Sequence, residues 1–153
     1  MLNEPSTLAS VAILLGETLQ KEYGVSPTEV FASAGMEYRA EIPAGECITS
    51  GSMGKLWQAA ITATGDPMIG LRTGLNARPG HFYAFGHSWL ASESLLDAIQ
   101  RLTRYDKIIA TYVSSSSITR NNGNYVVSEW YPDPAKDRII YRFVEAWVTE
   151  NGR

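Results

Sequence analysis

Two histidines, one cysteine and a glycine–lysine pair are the residues of this chain that could do strong chemistry, and their spacing speaks against it. His81 and His87 stand six apart, so they do not share a helix face as metal ligands at i and i+4 do. No cysteine pair or suitably spaced carboxylate stands beside them. Gly51-Ser52-Met53-Gly54-Lys55-Leu56 has some parts of a phosphate loop. Its first glycine is too close to Gly54-Lys55, however, and Leu56 occupies the place of the magnesium-binding hydroxyl. No Gly-x-Ser-x-Gly elbow exists to present a serine nucleophile, and the serines at 114 to 117 read as a polar, strand-like run. Cys47 has no basic neighbour in sequence to lower its pKa and is expected to be inert. An enzyme, a metal site and a cofactor are therefore not expected.

The constellation suited to binding is aromatic. Trp57, Phe82, Tyr83, Phe85, Trp89 and Tyr105 come from three segments expected to pack together, with Arg72, Arg104 and His87 as possible polar anchors. Ligand sites are mostly apolar with a few placed polar groups. On that pattern Trp57, Tyr83, Trp89 and Tyr105 are candidate walls, and Arg72 and His87 are candidate anchors. For a carboxylate ligand Arg72 is the favoured partner, because a guanidinium can bind it bidentately. An ordinary aromatic core explains the same residues, and the pattern alone leaves both readings open.

The elements that must position these residues are read from periodicity. A first helix is expected from Leu8 to Tyr23, with Leu8, Val11, Ala12, Leu15 and Leu19 on one face and Gly24 at its end. A short second helix opens at Ser26-Pro27 and stops at Gly35. Residues 36 to 48 read as a loop. Met53, Leu56, Trp57, Ala60 and Ile61 are spaced 0, 3, 4, 7, 8, which predicts a third helix ending at Gly65. Asp66-Pro67 starts a short helix carrying Met68, Ile69 and Leu71, and Phe82 to Leu90 is assigned as another. Ser94 and Asp97 form a variant capping box for a helix with Leu95, Ile99, Leu102 and Ile109 on one face. Arg101, Arg104 and Lys107 then read as a solvated helix face.

Beyond Ile109 the period changes. A run rich in Ser, Thr and Val, the turn Asn121-Asn122-Gly123-Asn124 and the segment Tyr125 to Tyr131 predict a β-hairpin. Ile140, Phe143, Val144, Trp147 and Val148, again spaced 0, 3, 4, 7, 8, predict a final helix. The expected fold class is thus α+β: mainly helical, with a C-terminal β-hairpin or small antiparallel sheet and a final helix.

With 153 residues the chain is expected to form a single domain over 1–153. It is 44% hydrophobic and 19% charged, as folded globular domains are. The net charge of −3 argues against a nucleic-acid-binding module. A single cysteine precludes an intrachain disulfide, and neither a signal peptide nor a membrane span is read, so a cytoplasmic protein is expected.

The order of several segments adds a further expectation. Leu56-Trp57-Gln58-Ala59-Ala60 leads into Thr64-Gly65-Asp66-Pro67, followed by Gly70-Leu71-Arg72, by Gly80 to Gly86 and by Ser92 to Tyr105. In that order the chain resembles, from about Leu8 to Trp147, the effector-sensing N-terminal domain of AraC-type transcription regulators, in the arabinose-binding-domain group. The resemblance implies a regulatory domain that senses a small-molecule effector and supports a homodimer. It also implies that DNA is bound only through a C-terminal pair of helix-turn-helix motifs. No such motif follows before Arg153, so the chain is expected to be the sensing part, and itself incomplete. The resemblance carries over no ligand residues, so the six candidates rest on pattern. The alternative is a stand-alone protein-interaction module that dimerises without a ligand, through its hairpin edge and last helix.

Overall fold

The apolar stripe read along the first helix is the one that the fold encloses. In the computed structural model, which describes residues 4–111, 115–121, 124–133 and 138–146, the chain divides into two compact units, Met1–Tyr83 and Ala84–Arg153. In the first unit, α1 (Ser10–Thr18) continues into a π-helical turn, Leu19–Tyr23. Leu15 and Leu19 are fully buried there. Gly24 stops the helix with a φ of +63°, a conformation that costs glycine little because it has no Cβ. Helix α2 (Pro27–Ser33) has Pro27 in its first turn and adds Val30 and Phe31 to the same core.

Helix α3 (Ser50–Thr64) supplies the opposite wall. Thr49 caps it by accepting from the Ser52 amide at 3.2 Å, and Gly65 closes it with a φ of +68°. Met53, Leu56 and Ala60 face inward, as their spacing predicts. Helix α4 (Ile69–Leu75) buries Ile69 and Thr73. Of the apolar residues expected on this helix only Ile69 turns inward, while Met68 and Leu71 are exposed. A single 3₁₀ turn, Pro79–Phe82, follows.

Two short strands of this unit were not anticipated. β1 (Ser6–Leu8) pairs antiparallel with β2 (Cys47–Thr49), with Thr7 opposite Ile48. Sequence reading put Leu8 in the first helix and Cys47 in a loop. Alternation becomes legible over four residues or more, and these strands have three each.

The second unit contains α5 (Tyr83–Leu90, whose first residue belongs to the first unit), α6 (Leu95–Ile109) and an antiparallel sheet of β3 (Ser115–Asn121), β4 (Asn124–Asp133) and β5 (Arg138–Ala146), in that order. The Ser94 hydroxyl accepts from the Asp97 amide at 3.1 Å, and Asp97 reaches back to the Glu93 amide at 3.3 Å, so the predicted cap forms. Arg101 is not a purely solvated residue: it pairs with Asp97 at 3.1 Å and reaches Ser88 Oγ on α5 at 3.2 Å.

The predicted final helix is a strand. Val144 pairs with Val127, Phe143 with Ser128 and Ile140 with Tyr131, while Trp147 and Val148 lie outside the described residues. A short apolar run fits either period. Here β-branched and aromatic residues favour the strand, and β4 offers a ladder edge that a helix would leave unpaired. Among the described residues no helix is long and apolar enough to cross a membrane.

The packing predicts a contrast. Leu56→Ala should lower unfolding free energy by about 3 kcal/mol, as a large-to-small change in a tight core does. Leu71→Ala, at 64% exposure, should change it by less than about 0.5 kcal/mol. Urea denaturation of the two variants checks this, and equal effects would contradict the assignment of the core.

Candidate functional site

Small side chains at the start of α1 leave an opening that larger ones would fill. A cleft of about 310 Å³ lies there, with Ala9, Ala12 and Ile13 as its floor. Phe31 of α2 and Ile48 of β2 form walls, and Met36 and Ile42 come from the segment that joins those elements. Glu37 and Arg39 are the charged residues of the lining, and both are exposed at its rim.

The joining segment, residues 36 to 46, is held at several points. The Met36 amide donates to the Phe31 carbonyl at 2.9 Å, and the Ala9 amide donates to the Glu46 carbonyl at 2.8 Å. Arg39 forms an ion pair with Glu46. Tyr38 meets Phe31 edge-on, with ring centroids 5.0 Å apart and an interplanar angle of 68°. Its ring also lies over Gly16 of α1, where a Cβ would come within 2.4 Å of it. Burial, and after it the charge of Glu17, raises the pKa of the Tyr38 hydroxyl.

A polar hub joins α4 to the π-helical turn. Asp66 Oδ2 accepts from the Tyr23 hydroxyl at 2.6 Å and from Arg72 Nε at 2.9 Å, while Oδ1 accepts from the Met68 amide at 2.8 Å. The Arg72 guanidinium lies 5.9 Å from the centroid of the Tyr23 ring. Asn76 extends the network, accepting from Lys21 Nζ at 2.6 Å and donating to Glu22 at 3.3 Å. Asp66 and Arg72 of the Gly-Asp-Pro-x-x-Gly-Leu-Arg run thus have a structural reason, since Asp66 holds the Met68 amide just ahead of α4 and links Arg72 of α4 to the turn that carries Tyr23. A further tie is His81, whose Nδ1 accepts from the Arg78 amide at 2.9 Å while Nε2 lies 3.3 Å from Glu17. The Ser10 hydroxyl donates to the His81 carbonyl at 2.5 Å.

The six residues chosen from the sequence fall in different surroundings. Trp57 is half-buried against the core of the first unit, and Arg72 is engaged by Asp66. Tyr83 is half-buried with a φ of +51°, rare for an aromatic residue. In the second unit Trp89 stacks on Phe85 with centroids 6.3 Å apart, and His87 and Tyr105 are exposed. None of the six lines the cleft. The cleft residues escaped sequence reading because 36 to 48 carries no period. The one signal was Met36 and Ile42, apolar residues in a segment otherwise rich in charge and turn formers. Among the described residues no three His, Cys, Asp or Glu side chains cluster as metal ligands.

Two outcomes follow from this geometry. In a helix interior Gly→Ala ordinarily stabilises by about 1 kcal/mol. Gly16→Ala should instead destabilise by about 1–3 kcal/mol through overpacking against Tyr38, and it should cost less in a Tyr38→Ala background, as a double-mutant cycle by urea denaturation will show. The second concerns Asp66. The Tyr23 hydrogen bond, then the Met68 amide and Arg72, hold its pKa below the ordinary value. Its contribution to stability is therefore present above the unfolded-state pKa and is lost as pH falls through the lowered folded-state value. Asp66→Asn should be less stable than the parent near about pH 7, with the gap closing toward about pH 2 in thermal unfolding; a constant gap would disprove the linkage.

No curated protein matches the chain. Residues 24–150 match the family model described as the arabinose-binding domain of AraC transcription regulator, N-terminal. That family is one of regulatory ligand-binding domains rather than an enzyme class. The match takes in α2 through β5 and leaves the cleft floor at residues 9 to 13 ahead of it. Spanning well over half of the sequence, it shows that the chain belongs to the family of N-terminal arabinose-binding domains of AraC transcription regulators.

Proposed function

We propose that this domain is the effector-binding part of a transcription regulator and acts by binding a small organic molecule without transforming it. The observation that carries this reading is the family match over residues 24–150. The cleft in the first unit supports it, since about 310 Å³ falls at the lower end of ligand pockets and suits a compact ligand. DNA contact would belong to a separate domain of such a cytoplasmic regulator, and the net charge of −3 accords with that division. Trp57, Arg72, Tyr83, His87, Trp89 and Tyr105 are the alternative lining.

Dimerisation is a second role, favoured by the antiparallel sheet, whose order leaves β3 and β5 at its edges. Edge strands present unpaired backbone groups to another chain. Sedimentation over a range of concentrations should show a dimer; a monomer at the highest concentration would remove this role.

A thermal-shift screen of small organic molecules tests the main reading. At about a hundredfold excess over its Kd, a true effector should stabilise the domain by about 2.7 kcal/mol. Ile42→Trp, which fills the cleft at a half-buried position, should abolish the shift, and Trp89→Ala should retain it. The reverse pattern would assign the effector to the aromatic set. A folded protein that responds to no compound would count against sensing.

A further inference from the structure

The chemistry of the cleft restricts what it can hold, and this inference rests on the effector-binding reading above. Apart from Glu37 and Arg39, every lining residue is apolar. Both exceptions sit at the rim, so the interior offers no polar side chain to pair with a buried hydroxyl. A sugar seated there would have only backbone groups, the two rim charges and solvent to pair its hydroxyls. An apolar body gains more, through contact with Phe31, Ile13 and Ile48.

The rim decides the charge of the protruding end. Arg39 is paired with Glu46. Glu37 has no ion pair among the described residues. An anionic ligand would have to draw Arg39 away from Glu46 while facing Glu37. A cationic ligand finds Glu37 free and Arg39 already compensated. We infer that the cleft between α1, α2, β2 and the 36–46 segment binds a small molecule with an apolar body and a positively charged amine at Glu37, in preference to a sugar.

The test uses the full chain and four probes, followed by NMR titration: phenethylamine, phenethyl alcohol, phenylacetate and L-arabinose. The first three share one apolar body with a positive, neutral or negative end. Phenethylamine should bind about two- to five-fold more tightly than the alcohol, the range of an exposed ion pair, and more tightly still than phenylacetate. The advantage should shrink at high salt. Glu37→Gln should close the gap between amine and alcohol. Ile42→Trp should abolish binding of both, and Ile13→Trp serves as a second cleft-filling variant should the first not fold. Equal affinities, or tighter phenylacetate, overturn the amine assignment but leave the cleft as effector site, provided the cleft-filling variant still abolishes binding. Arabinose binding as tight as that of phenethylamine, and removed by Ile42→Trp, overturns the preference over sugars. Failure of all four to bind the folded chain, or binding that survives the cleft-filling variants, overturns the cleft as the ligand's seat; the effector reading is then judged by the broader screen.

Discussion

Helix α1 is enclosed on two sides, and the two sides demand opposite things of it. Toward the main core it presents Leu15 and, through the π-helical turn, Leu19, both fully buried. Toward the 36–46 segment it must be low, because Tyr38 lies directly on Gly16 and the cleft opens over Ala9 and Ala12. Residues 9, 12 and 16 form one stripe at helical spacing. Large side chains along that stripe would lift the segment away, break the Phe31–Tyr38 edge contact and close the cleft. Size along one helix face therefore governs both how the segment is seated and whether a ligand can enter.

The second constraint is polar. Asp66 gathers a hydroxyl, a guanidinium and the Met68 amide, so one carboxylate fastens α4 to the turn that carries Tyr23. This gives Asp66 and Arg72 an architectural role. Arg72, an attractive ligand anchor when read alone, is part of that fastening. Of the cleft residues, Ala9, Ala12 and Ile13 lie ahead of the residues matched to the family, and the other six lie within them.

Much of the fold was legible in the residues because the relevant forces are local. The breaks at Gly24 and Gly65 follow from left-handed backbone that glycine adopts freely. The inward face of α3 follows from apolar residues recurring at helical spacing, and the start of α6 from the reach of Ser94 and Asp97 to nearby amides. The family followed from the order of such segments. The helix ends, the α3 face and the α6 cap each depend on neighbours within about two helical turns.

What the tertiary structure alone decided is whatever required a distant partner. Cys47 to Thr49 become a strand because Ser6 to Leu8 lie alongside, more than thirty residues away in sequence. Arg138 to Ala146 become a strand because β4 offers a ladder, although their apolar spacing also fits a helix. The cleft belongs to the same class: Ala12, Phe31, Ile42 and Ile48 share no period and form one surface only when α1, α2, β2 and the segment between them are brought together. A sequence records the preferences of a stretch of chain. A concave site is a gap between stretches, and its shape depends on packing that no single stretch contains.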